Sequence, residues 1–268
     1  MEKVLGLLEQ LQLSEAVKKG IVIGWSDGKK VGVIDSQAMV KLFSEKRPIA
    51  EALENSVGRV WCPLRGVECK TKGENVFLVK FLQHSGKRKA LEDGPWMFQG
   101  EALVVEDYDL RKTLEEYDFS TMPVWIRVLG LPLGMFNEMA GEKIGDEVGE
   151  FMHAEVLVDA VTTRRILRVK TRINIIEPLW RGITIHGEEN QGRGSDSTRA
   201  KALQGKEVRK GKWCPFAYEF IPEFCYTCGI IGHTDKASMT TLVRWEVQQW
   251  ASRLSCKPAK QVEWGVGG

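Results

Sequence analysis

The sequence predicts an α+β protein, and three observations carry that expectation. "ENVFLVKF" and "RILRVKTRINII" alternate apolar and polar residues as half-buried strands do. "RPIAEALENSVGRVW" places its apolar residues at helical spacing. Short Gly- or Pro-bearing breaks separate such segments. A chain of 268 residues with 43% apolar content can bury a core and make one or two domains.

Residues 1–35 read as a helical or irregular segment whose start, "MEKVLGLLEQLQL", is amphipathic and unlike a signal peptide. "AMVKLF" (38–43) is the first strand. The helix that follows has Pro48 at a first helical position and Ile49, Leu53, Val57 and Val60 on one face. "GVECKTKG" and "ENVFLVKF" form two strands around a Lys-Gly turn, with Phe77, Val79 and Phe81 inward and Val76, Leu78 and Lys80 outward. "SGKRKALEDGP" is a short helix with Ser85 as its cap, and "EALVVEDY" is a last strand. Strand, helix, strand, strand, helix, strand is the ferredoxin-like βαββαβ order, here over residues 36–110.

A second, related α+β unit is expected over 120–220, after the acidic connector "LRKTLEEYDFST". "VWIRVLG" is its first strand, followed by a helix over 133–151 with Phe136, Met139, Ala140, Ile144 and Val148 inward. Gly141, Gly145 and Gly149 recur four apart in that stretch and would each cost roughly 1 kcal/mol in a helix interior. They are expected to mark a poor helix, with close approach to a sheet as the alternative. "MHAEVLV", "RILRVKTRINII" and "WCPFAYEF" supply further strands, and 186–211 is a polar, Gly-rich loop. A small knuckle-like appendage at 222–239 and a helical tail at 240–268 complete the layout.

The net charge of +2 conceals an asymmetry, because residues 161–213 hold 13 Lys/Arg against 5 Asp/Glu. One basic sector on a mildly acidic body implies a polyanionic partner. Within it, Arg168, Lys170 and Arg172 share one side of a strand, opposite Leu167, Val169, Thr171 and Ile173. Three ordered cations on an exposed sheet face suit a phosphate backbone. The first unit lacks the stacking aromatics of an RNA-recognition motif, since Val76 and Leu78 stand at those positions.

The strongest motif is "FCYTCGIIGHTDKASM", in which Cys225, Cys228 and His233 have C-x2-C-x4-H spacing. Zinc takes four nitrogen or sulfur ligands, and small residues are needed where the backbone turns around the metal. Gly229 and Gly232 stand at those turns. Tyr226, between the first two ligands, is placed to stack a base. The fourth ligand would fall at 238, which is Ser238, so weak or partial zinc occupancy is expected.

These residues resemble a plant family that joins a domain of unknown function to a C-x2-C-x4-H-x4-C zinc knuckle, many of whose members derive from LINE-type retrotransposons. The likeness is carried by "ENSVGRVWCPLRGVE", "LEDGPWMFQGEALVV", "VWIRVLGLPLGM", "RILRVKTRINIIEPLWRG" and "YEFIPEFCYTCGIIGH", and runs from about residue 36 to 233. It implies nucleic-acid binding in the manner of a retroelement RNA-packaging, gag-like protein. Ser238 and the tail after it depart from the family pattern.

The sequence carries no phosphate loop, nucleophile elbow or H-E-x-x-H, so a non-enzymatic role is expected, with no small-molecule substrate. The leading expectation is largely sequence-independent binding of single-stranded RNA or DNA. The alternative is a protein-interaction scaffold that has lost metal-dependent binding, to be marked by an uncovered patch at Val76 and Leu78. The six scattered cysteines imply a reducing, intracellular setting, nuclear or cytoplasmic. No apolar run is long enough for a membrane span, and self-association is left open.

Overall fold

The computed structural model describes residues 36–158, 164–186, 211–233, 250 and 254–256. The expected segments 1–35, the interior of the 186–211 loop and most of 234–268 lie outside the described residues. The first half runs β1 (Gln37–Leu42), α1 (Ala50–Trp61), β2 (Val67–Gly73), β3 (Val76–Phe81), α2 (His84–Glu92), β4 (Trp96–Phe98) and β5 (Glu101–Asp107). The strands order as β2-β3-β1-β5-β4 with every neighbouring pair antiparallel. This is the expected ferredoxin-like sheet with β4 added as a hairpin strand, too short at three residues to show alternation.

One face of this sheet packs on the helices. Phe77, Val79 and Phe81 are at most 3% exposed and share a core with Leu53, Val57 and Trp61 of α1. The stripe on α1 therefore ends on Trp61, not Val60. Consecutive helical residues point about 100° apart, so seating the indole inward turns Val60 out. Ile49 is also exposed, and it is the N-cap residue rather than part of the helix. Ser85 lies inside the first turn of α2, where Gln83 holds the N-cap position and no side chain caps.

The opposite face carries Met39, Val76, Leu78, Ala102 and Val104, and it is covered. The connector after β5 folds back over it: Tyr117 and Phe119 stack on each other at 6.1 Å, and the Lys41 ammonium sits 5.6 Å from the Phe119 ring. Val76 is buried and Leu78 partly so, both in one continuous core with the second sheet. The patch that would have marked an interaction scaffold is thus internal.

The second half runs β6 (Thr121–Val128), α3 (Glu138–Val148), β7 (Glu150–Val158), β8 (Arg165–Asn174), β9 (Gly182–Ile185), β10 (Lys212–Glu219) and β11 (Ser255–Cys256). Its strands order as β11-β10-β6-β8-β7, with β9 paired to the start of β10. The run β10-β6-β8-β7 repeats the β5-β1-β3-β2 order of the first sheet, and among the described strands only β11 is parallel to its neighbour. No helix of the described residues is long and apolar enough to cross a membrane.

Helix α3 is shorter than expected because Asn137 caps it, accepting from the Ala140 amide at 2.9 Å. Phe136 lies before the helix, and Met139 is exposed instead of inward. The glycines act as the alternative reading had it: a Cβ on Gly141 would lie 2.4 Å from the Ala154 Cβ, and one on Gly145 2.6 Å from the Phe151 ring. They let α3 lie directly on β7 and β8. In an isolated helix Gly141→Ala would gain about 1 kcal/mol. Here the clash dominates, and the variant is expected to lose about 1–3 kcal/mol in a urea melt.

Candidate functional site

Strand β8 shows the predicted alternation, but its cations do not form an exposed row. Leu167, Val169, Thr171 and Ile173 are buried toward α3, and Arg168, Lys170 and Arg172 point the other way. The register places Trp125, Arg127, His153, Glu155 and Glu219 on that same face. Glu219, from β10, is 1% exposed and accepts from Arg127 Nε at 2.6 Å and from Arg168 Nε and Nη2 at 3.0 and 2.8 Å. Glu155 pairs with the same Arg168 guanidinium. A buried carboxylate without such partners would be strongly disfavoured, so the arginines are held in place by Glu219 as much as the reverse.

Lys170 is buried. Desolvation lowers its pKa, partly opposed by the pull of Asp93 and Glu92. Arg172 lies 3.9 Å from Glu106 and 3.8 Å from Glu150. The expectation of an exposed basic face is corrected on that physical ground: acidic residues from three other strands, β5, β7 and β10, and from the end of α2 converge on it.

At the centre of this face stands a residue that the sequence reading passed over. Trp125 lies on β6, a central strand, and is half-buried. The Arg168 guanidinium sits 4.0 Å from its ring centre, the Lys170 ammonium 5.3 Å, and the exposed His153 ring meets it edge-on at 6.0 Å. Alternation in "TMPVWIRV" places Trp125 and Arg127 together, opposite Val124 and Ile126, so the signal was present. On the other side of the sheet a groove of about 490 Å³ opens between α3 and β9, with Met135, Met139 and Ile183 among its walls.

The three side chains Cys225, Cys228 and His233 do come together, as a cluster that could hold a metal ion. One ligand atom each from Cys225, Cys228 and His233 lies within 4.8 Å of the others, and Cys228 Sγ is 3.2 Å from His233 Nε2. Tetrahedral zinc with these donors would hold them about 3.5–3.8 Å apart, so shifts of a few tenths of an ångström to about 1 Å would seat the three donors on a metal ion of that kind. Burial raises the Cys228 thiol pKa, opposed by the Ile230 backbone and reinforced by Cys225. Metal binding would therefore have to displace protons.

Ser238 lies outside the described residues, and Cys256 is not a member of the cluster, because β11 pairs it beside Glu219. The loop turns on Gly229 and Gly232 at φ +79° and +94°, which side chains rarely adopt. Tyr226 is half-buried, its ring edge-to-face with Phe224 at 5.1 Å.

Residues 36–116 match the family described as "Domain of unknown function (DUF4283)". That span begins one residue before β1 and ends in the connector that covers the sheet. No curated protein sequence matches the chain. Among solved structures, the RNA-binding domain of Hrp1 in complex with RNA is similar at 11% identity and a TM-score of 0.26, over 52% of this chain and 81% of that one. RNA recognition domains 1 and 2 of Sex-lethal from Drosophila melanogaster are similar at 14% identity and a TM-score of 0.23, over 52% and 85%. The first two RRM domains of yeast poly(U)-binding protein Pub1 give 13% identity and a TM-score of 0.21, over 50% and 81%.

Proposed function

We propose that the protein binds single-stranded nucleic acid without catalysing a reaction, through the face of the second sheet opposite α3. The observation that carries this is Trp125, an aromatic ring on a central strand amid Arg127, Arg168 and Lys170. Every base has a π-face, so one indole among cations offers stacking and phosphate attraction together without reading sequence. Arg172 is the phosphate contact of this reading, and Lys170, buried beside the indole, adds its charge without reaching the strand. Arg168 supports the indole and reaches a phosphate only by giving up Glu155.

The same reading takes Cys225, Cys228 and His233 as ligands of a zinc ion held weakly because position 238 is Ser, and takes the chain as descended from a retroelement RNA-packaging protein. The quoted motifs support that descent.

Trp125→Ala tests the interface. Its affinity for labelled single-stranded RNA and DNA of unrelated sequences is expected to fall roughly 5- to 150-fold, the worth of about 1–3 kcal/mol for one stacked base. Circular dichroism should show an unchanged fold. Equal affinities of wild type and variant would remove this face from the proposal.

A further inference from the structure

The knuckle lies between the two sheets, and its backbone is tied to both. Toward the first half, the Glu223 amide donates to the Gly100 carbonyl at 3.1 Å, and Gly232 rests against Phe43, whose Cβ a side chain there would meet at 3.5 Å. Toward the second half, the Leu179 amide donates to the Gly229 carbonyl at 2.9 Å. Trp250 closes the outside: its indole N–H donates to the Leu179 carbonyl at 2.8 Å, and its ring lies where a Cβ on Gly229 would come within 2.4 Å. Phe224 and Ile231 pair across the loop and belong to the core that contains Met39 and Val104 of one sheet and Met122 and Tyr218 of the other.

From this we infer that metal binding at Cys225, Cys228 and His233 clamps the two sheets together, and does not itself present a base-stacking surface. The inference rests on the zinc-binding part of the proposed function, and is independent of nucleic-acid binding. A loop this short has no core of its own, and coordination supplies most of its folding free energy. The carbonyl of Gly229 and the backbone groups of Glu223 and Gly232 reach their partners only while the loop holds its shape. Losing the metal therefore releases contacts on both sides at once. Tyr226 belongs to this packing: its ring leans on Phe224 and its carbonyl accepts from the Trp250 amide at 3.3 Å.

The test uses the full chain loaded with Zn²⁺, then treated with EDTA, then given Zn²⁺ again, with hydrogen exchange and thermal unfolding followed throughout. Chelation is expected to lower Tm and to speed exchange in peptides from both halves, 41–45 and 97–103 as well as 176–182, with recovery on re-addition. Ser238→Cys should make all of these resistant to the same chelator, and Tyr226→Ala should leave single-strand affinity unchanged in a zinc-loaded protein that binds a strand. Faster exchange confined to 223–233, no response to chelation, or no zinc uptake by either wild type or Ser238→Cys would overturn the clamp. So would a loss of strand affinity in Tyr226→Ala with Tm intact. The exchange readings decide the clamp even if wild type binds no strand, so the two failures are told apart.

Discussion

Glu219→Ala is expected to destabilise the protein by about 3–5 kcal/mol, as removal of one partner from a buried ion pair does. The cost comes from what is left behind. Arg127 and Arg168, both with side chains 14% exposed, would keep their charges without the carboxylate that holds Arg168 in fork geometry and Arg127 through its Nε. Glu219→Gln keeps the shape and loses the charge, so it should fall between wild type and Ala. Urea unfolding of the three proteins checks the order, and a cost under about 1 kcal/mol for the Ala variant would put the pair in the class of surface salt bridges.

Phe77→Ala should cost about 3–5 kcal/mol, as large-to-small changes in a packed core do. Its ring is 1% exposed between β1 and the helices, among Leu53, Val57 and Trp61. Lys80, three residues along on the other face, pairs with Glu68 at 3.2 Å near solvent, and Lys80→Ala should cost under about 0.5 kcal/mol. The contrast between two neighbours on one strand is the sharper measurement, since a general weakening of β3 would move both.

Local features of this fold were legible because they repeat with a period. The alternation in β3, β6 and β8 and the glycine-turned knuckle can all be read along a few consecutive residues. What escaped depended on partners far along the chain. Arg168 and Glu219 are 51 residues apart in sequence, and only the β10-β6-β8 register brings them together. Tyr117 and Phe119 sit in a stretch whose acidic residues mark it as a connector, yet their rings close the first sheet's second face. The packing role of Gly141 and Gly145 stood only as the second of two readings, because spacing alone does not say what lies opposite a glycine. Trp125 is the different case: its placement followed from alternation, and attention to charge alone hid it.

The covering of the first sheet bears on how this protein can change over time. A β-surface of Met39, Val76, Leu78, Ala102 and Val104 is tolerable only while something sits on it, and its cover comes from beyond residue 116, where the family match stops. A gene fragment ending there would encode a sheet with a wet, sticky back, the kind of surface that recruits other chains into aggregates. The matched segment is therefore not portable in the way a bead-like module is. Duplication, fusion or shuffling at that boundary would be penalised unless the next hundred residues travelled with it, and substitutions on either side of the buried face must answer to each other.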